Sequence, residues 1–193
     1  MNLNQGRFLN PLDLQDNSPD EVTGVNCIDI NPAHQLLAFG CENTGTVQLW
    51  DSRSRSRVGL LRLPTARLLP TGVSLPGVDE KPTISVTAIS SRSDGLSYAI
   101  GTSTGHTLLY DIRSARPFST KDQGYGLPVK KVAWIDGGHN MAHDGLVLSA
   151  DKKVIKLWDR EKVRAVTFTA GIRAEMTVRS LQRTSLRSLP LTT

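Results

Sequence analysis

The stretch GTVQLWD, Gly45 to Asp51, returns twice along the chain, as GHTLLYD from Gly105 to Asp111 and as KVIKLWD from Lys153 to Asp159. In each copy side chains alternate, as Val47 with Leu49 or Ile155 with Leu157, and the run closes on an aromatic residue followed by aspartate. A period of two places side chains on opposite faces of an extended strand and does not fit the period of a helix. Working outward, a second apolar strand precedes each copy: LLAFG (Leu36 to Gly40), SYAIG (Ser97 to Gly101) and LVLSA (Leu146 to Ala150). Ahead of those comes a third: VNCIDI (Val25 to Ile30), VTAIS (Val86 to Ser90) and VKKVAWI (Val129 to Ile135). Turn formers separate the first two strands of each unit, namely Asn31-Pro32, Ser93-Asp94-Gly95 and Asp136-Gly137-Gly138.

Three strands joined by tight turns, three times over, describe antiparallel meanders. The closing aromatics fall at 50, 110 and 158, steps of 60 and 48 residues, against roughly 40–45 for a four-stranded WD repeat. An insert at 62–83, carrying Pro64, Pro70, Pro76 and Pro82, explains the longer step and predicts a mobile surface loop, since proline removes donors from a ladder. No apolar i, i+3, i+4, i+7 series occurs outside the last 20 residues, so no helix is expected. The expected fold class is all-β: a partial WD-repeat β-propeller of about three blades of antiparallel sheet. The expected divisions are residues 1–24, a segment with room for a strand of a preceding blade; 25–160, the three repeats; 161–173, a further strand; and 174–193, a disordered basic tail.

The net charge of +5 over 193 residues suggests polyanions until its distribution is considered. Residues 161–193 hold six of the 23 basic side chains and two of the 18 acidic ones, a net +4, which leaves +1 for residues 1–160. The body is nearly neutral, and its overall charge says little about a partner. Cys27 and Cys41 are too few for a disulfide framework or a zinc site, and buried, reduced thiols are expected. No secretory leader and no membrane-length apolar run is legible, so a reducing intracellular compartment is expected.

Apparent catalytic motifs dissolve on inspection. Gly101 to Gly105 spells GxSxG around Ser103, but a nucleophile elbow needs a helix after its turn, and here a strand follows. His139 and His143 have the spacing of zinc ligands on a helix, yet lie in the Gly-rich GGHNMAHDG. His106 alternates outward on a strand and His34 sits in a turn. No catalytic, cofactor-binding or metal-ligating residue is expected. The one constellation pointing to a partner is Arg53-Ser-Arg-Ser-Arg57, whose guanidinium groups at Arg53, Arg55 and Arg57 would share one side of an extended segment. Arginine binds phosphate or carboxylate bidentately, which suits RNA backbone or an acidic protein surface. Edge protection by charge is the plainer explanation. Arg113 stands in the same place one repeat later.

LNQGRFLNPL (Leu3 to Leu12), WDSRSRSRVGLL (Trp50 to Leu61), GTSTGHTLLYDIRSARP (Gly101 to Pro117), QGYGLPVKKV (Gln123 to Val132) and LSADKKVIKLWD (Leu148 to Asp159) together resemble the nucleolar protein 10 family of WD-repeat proteins, over roughly residues 3–160. The resemblance implies a nuclear, nucleolar, non-enzymatic scaffold of small ribosomal subunit assembly and rRNA maturation. It implies no cofactor, membrane or small-molecule substrate. The implied partners are protein assembly factors of the pre-ribosome, with pre-rRNA as a candidate contact. Departures are also plain. The aspartate that usually stands six residues before the tryptophan is replaced by Thr44, Thr104 and Lys152. Family members carry several hundred further residues, so a truncated form lacking upstream blades is expected. A different function class competes: substrate receptor of a cullin-type ubiquitin ligase, through a WD-x-Arg tetrad at Trp50-Asp-Ser-Arg53 and, less closely, Tyr110-Asp-Ile-Arg113.

Overall fold

The computed structural model describes Leu12 and residues 24–69, 83–136, 145–159 and 165–169. Among the described residues, twelve strands form three four-stranded antiparallel sheets, each laid out in chain order. Sheet 1 holds β1 (Val25–Ile30), β2 (Leu36–Cys41), β3 (Thr46–Asp51) and β4 (Ser56–Arg62). Sheet 2 holds β5 (Val86–Ser91), β6 (Ser97–Thr102), β7 (His106–Asp111) and β8 (Ser119–Asp122). Sheet 3 holds β9 (Lys131–Ile135), β10 (Leu146–Ala150), β11 (Val154–Asp159) and β12 (Ala165–Thr169). The first strands of successive sheets are neighbours, β1 beside β5 and β5 beside β9, so the sheets fan out from that line as propeller blades do.

Trp50, Tyr110 and Trp158 occupy the fifth position of β3, β7 and β11, as the repeat predicts. They stand opposite Leu37, Tyr98 and Val147 on the second strands. Cross-strand partners share a face, so every sheet has an aromatic-bearing leading face and an opposite trailing face. The trailing face of sheet 1 (Ala38, Val47, Leu49) meets the leading face of sheet 2 (Tyr98, Ile100, Tyr110) in one core cluster. The trailing face of sheet 2 (Ala88, Ala99, Leu109) meets Val132, Val147 and Trp158 of sheet 3 in another. With both faces covered, β6 has all six residues buried and loses the alternation of exposure seen in β1. Gly40 marks how closely the sheets approach: a Cβ there would lie 2.4 Å from Cys27 Sγ and 2.6 Å from Val86 Cγ1.

Hydrogen bonds tie the blades at their turns. Asn31, fully buried, donates through Nδ2 to Gly95 O and Tyr98 Oη, both at 2.7 Å, and accepts at Oδ1 from the Ala33 and His34 amides. Asp29 Oδ2 accepts from the amide and hydroxyl of Ser91, each at 2.6 Å. Trp134 Nε1 donates to Ser90 O at 3.0 Å, and Tyr110 Oη donates to Arg62 O at 2.9 Å.

Two expectations about the insert need correction. The described residues include a helical turn, α1 (Thr65–Leu68), where no helix was expected. The beginning of the insert is also not a surface loop. Leu63 and Leu68 are buried in the cluster between sheets 1 and 2, with Ile84 from the far end of the insert. A single turn is too short to show helical periodicity, and burial of Leu68 rather than propensity holds it. The remainder, residues 70–82, lies outside the described residues, as does the 174–193 tail.

Candidate interaction surfaces

Antiparallel meanders put alternate connections at opposite ends of the strands, so the turns form two rims. The β1–β2, β3–β4, β5–β6 and β7–β8 turns make the first rim. The β2–β3, β6–β7 and β10–β11 turns and the β8–β9 link make the second.

The arginines picked out by sequence lie at the first rim but do not form a row. Their common orientation required an extended segment, and the chain instead reverses over residues 52–55. Arg55 adopts the left-handed region at φ 57°. Arg57 pairs opposite Trp50 on β4 and is half-buried. Arg53 is exposed at the tip, with Nη2 donating to Gln35 Oε1 at 3.4 Å. The turn is set by Asp51, whose Oδ1 accepts the Arg53 amide at 2.8 Å. That backbone bond, above all, holds the Asp51 carboxyl below its ordinary pKa.

Arg113 follows the same pattern and adds a fork. Its Nε and Nη2 donate to the two oxygens of Asp111 at 2.9 and 2.6 Å, which raises the guanidinium pKa. Arg113 therefore presents a charge already engaged by its own repeat, and the WD-x-Arg tetrad there closes on itself. Next to it, Arg92 donates to Asp136 at 2.8 Å and lies 5.7 Å from the Trp134 ring centroid. Burial opposes ionisation of Asp136, but hydrogen bonds from Ser93 and Arg92 prevail and lower its pKa. The first rim thus carries arginine–carboxylate pairs at Arg92 and Arg113.

The second rim differs. Lys130 and Lys131 open sheet 3, and Lys152 and Lys153 form its β10–β11 turn. All four are exposed, and among the described residues none is ion-paired. Tyr125 stands out from the β8–β9 link with 53% of its surface exposed. Sequence reasoning quoted these residues inside QGYGLPVKKV and LSADKKVIKLWD but passed over them as a site. The signal available was a doubled lysine in each motif and a tyrosine between glycines.

The remaining candidates carry no reactive geometry. Ser103 sits in the hairpin between β6 and β7, its Oγ accepting the Ser85 amide at 3.1 Å, with a strand after it rather than a helix. His106 Nδ1 lies 3.0 Å from Thr104 Oγ1. His34 is exposed in its turn, and His139 and His143 lie outside the described residues. No metal-holding group of three or more His, Cys, Asp or Glu occurs among the described residues. Cys41 is buried and Cys27 half-buried, both as free thiols, and burial pushes Cys27 up to about 12. Where the repeat usually has aspartate, Thr44 Oγ1 meets Thr46 Oγ1 at 2.7 Å and Thr104 Oγ1 meets Thr102 Oγ1 at 3.0 Å. The tryptophans bond within their own sheets, Trp50 Nε1 to Gln48 Oε1 and Trp158 Nε1 to Ser149 Oγ.

Residues 1–185 match the family described as "Nucleolar protein 10-like, N-terminal domain", 25 residues past the point, 160, at which the recognisable motifs give out. The chain is 52% identical over 164 residues to the "Ribosome biogenesis protein enp2 homolog" of Schizosaccharomyces pombe, covering 83% of this chain and 24% of that protein. It is 41% identical over 160 residues to "Ribosome biogenesis protein ENP2" of Saccharomyces cerevisiae, covering 83% and 20%. It is 38% identical over 167 residues to "Nucleolar protein 10" of Homo sapiens, covering 86% and 21%. The chain thus spans about a quarter or less of the curated relatives it matches. Among solved structures, "Structure of U3-55K" and "Crystal structure of RRP9 WD40 repeats" superpose with a TM-score of 0.55 at 18% identity, each over 76% of this chain and 39% and 38% of theirs. That likeness shows the fold.

Proposed function

The chain belongs to the nucleolar protein 10-like family, and from that premise we propose that it is a non-enzymatic propeller scaffold in nucleolar assembly of the small ribosomal subunit and maturation of its RNA. The observation that carries the reading is 52% identity, along most of the chain, to a relative named for ribosome biogenesis. The fold suits the role. Rigid blades present two rims of short turns, and binding residues concentrate on loops held by such a scaffold. In this reading protein assembly factors are the principal partners. The arginine-bearing first rim, through Arg53, Arg55 and Arg57, faces an acidic surface or RNA backbone. Arg113 is the weakest member of that set, because Asp111 already occupies its fork.

Affinity purification of the tagged chain from nuclear extract tests the role. Recovery of small-subunit pre-ribosomal RNA with its assembly factors is the expected result. Recovery of a cullin ligase adaptor in their place would transfer the chain to the competing class. Recovery of neither would end the scaffold reading.

A further inference from the structure

The second rim carries a juxtaposition that neither the repeat nor the arginines explain. Gly124 and Gly126 have φ of +84° and +61°, a backbone region that glycine enters freely and other residues rarely do. The two left-handed turns lift Tyr125 away from the sheet, leaving 53% of it exposed. A Cβ on Gly126 would meet nothing within 4 Å, so the space beside the ring is open. The Lys153 ammonium stands 5.4 Å from the Tyr125 ring centroid, brought there by the β10–β11 turn from 28 residues away in sequence.

That turn is the centre of a basic strip. Lys152 and Lys153 are its exposed residues, while Asp151 folds back to accept the Val154 amide at 2.7 Å and has its other oxygen buried. Lys131 pairs opposite Ala150, and the Lys130 amide donates to Ala150 O at 2.7 Å, so both lysines flank the same turn. On the tyrosine side, Lys156 Nζ donates to Asp122 O at 3.2 Å and lies 5.2 Å from the Trp158 centroid. The exposed carboxylate nearby, Asp122, accepts the Gly124 amide and fixes the loop. Among the described residues, four exposed ammonium groups therefore stand with the exposed Asp122 carboxylate beside an exposed aromatic ring.

We propose that Tyr125, with Lys130, Lys131, Lys152 and Lys153, forms a binding site for single-stranded nucleic acid. An exposed ring gives an unpaired base a stacking platform, and a strip of ammonium groups tracks the phosphates. A duplex hides its bases in the stack and gains only the charge. An acidic peptide likewise has no base to lay on the ring. Arg92 and Arg113 on the first rim are committed to carboxylates, whereas the four lysines here have no ion pair among the described residues. The site is separate from the arginine rim and does not rest on the ribosome-assembly reading.

The test uses the full chain tethered sparsely to a biosensor surface, probed with 12-nucleotide oligouridylate, oligothymidylate, a 12-base-pair RNA duplex and polyglutamate across a salt series. The single strands are expected to bind more tightly than the duplex or polyglutamate. Tyr125→Ser should weaken single-strand binding about tenfold with an unchanged salt slope, since stacking is an uncharged interaction. Tyr125→Phe should restore it. The double variant Lys152→Ala/Lys153→Ala should flatten the slope of log affinity against log salt by about 1.4, roughly 0.7 for each phosphate that is no longer neutralised. Equal binding of uridylate and thymidylate supports recognition of base and phosphate alone. A preference for uridylate supports the site with an added hydrogen bond to the ribose hydroxyl. Circular dichroism verifies that the exposed substitutions leave the sheets intact. The proposal is overturned if the wild-type chain binds no single strand, if Tyr125→Ser binds as tightly as wild type, or if polyglutamate binds as tightly as oligouridylate.

Discussion

Asn31 shows how much one side chain can organise. Local sequence reads it as half of an Asn-Pro turn, and its Oδ1 does cap that turn. Its Nδ2 also crosses to the next blade at Gly95 and Tyr98. Removing it strands the buried Gly95 O and Tyr98 Oη of the next blade, at about 1–3 kcal/mol for each group left unsatisfied, while the exposed Ala33 and His34 amides turn to water. Asn31→Ala should therefore lower unfolding stability by about 2–4 kcal/mol in a urea titration. A loss under about 0.5 kcal/mol, the scatter of ordinary surface changes, would show the inter-blade bonds to be incidental. Burial sets a second residue-scale expectation. It raises Cys27 from 9.0 and Tyr110 from 10.0, each to about 12. The unfolded chain then releases these protons first as pH rises. The stability they protect is complete below about 9 and drains away between about 9 and 12. Tyr110→Phe should flatten that alkaline decline, while lowering stability at neutral pH through loss of the bond to Arg62. An unchanged decline in urea midpoints from pH 8 to pH 11 would remove Tyr110 from the account.

At the scale of elements, strands were far more legible than connections. A strand is announced by alternation within a few residues, and the three closing aromatics fixed equivalent positions in three sheets. A turn is decided by one or two backbone angles, and Arg55 at φ 57° is not legible in RSRSR. The arginines thus separated, with Arg53 at the tip and Arg57 against Trp50. The prediction changes accordingly. In a background carrying the remaining length of the relatives, Arg53→Ala/Arg55→Ala/Arg57→Ala should reduce co-sedimentation with pre-ribosomal particles. Arg53→Ala alone should account for most of the loss. The deficit should be larger at low salt, because exposed charges are screened as ionic strength rises. Unchanged co-sedimentation of the triple variant at low salt would remove the first rim as a binding surface.

For the whole molecule, the faces that meet no other sheet among the described residues matter most. On the leading face of sheet 1, Ile28 and Ile30 are 62% and 63% exposed, while Ile89 and Val132 at the place of Ile28 are buried. On the trailing face of sheet 3, Ile135 and Ile155 are each 40% exposed, while Val47 and Thr107 at the place of Ile155 are fully buried. Contiguous apolar strand surface of this kind drives association. The purified 193-residue chain should self-associate and bind hydrophobic dyes, and Ile28→Thr/Ile155→Thr should reduce both. A monodisperse wild-type monomer with a sharp, cooperative thermal transition would show that three blades need no cover.

By itself the sequence determined the first three strands of each sheet, their three-fold repetition and the propeller class, because alternation and turn chemistry are local and recur at matching positions; the fourth strands β4 and β8 were not read from it. It also carried the family, through strings such as GRFLNPL and YGLPVKK that resemble it, and residues 1–185 match that family. Tertiary structure alone decided which residues share a surface. It buried Leu68 of the insert between two sheets and split the arginines around a reversal. It also brought Lys153 to Tyr125 across the end of sheet 3. These outcomes depend on contacts between residues distant in the chain and on single backbone angles, and neither leaves a periodic mark in the sequence.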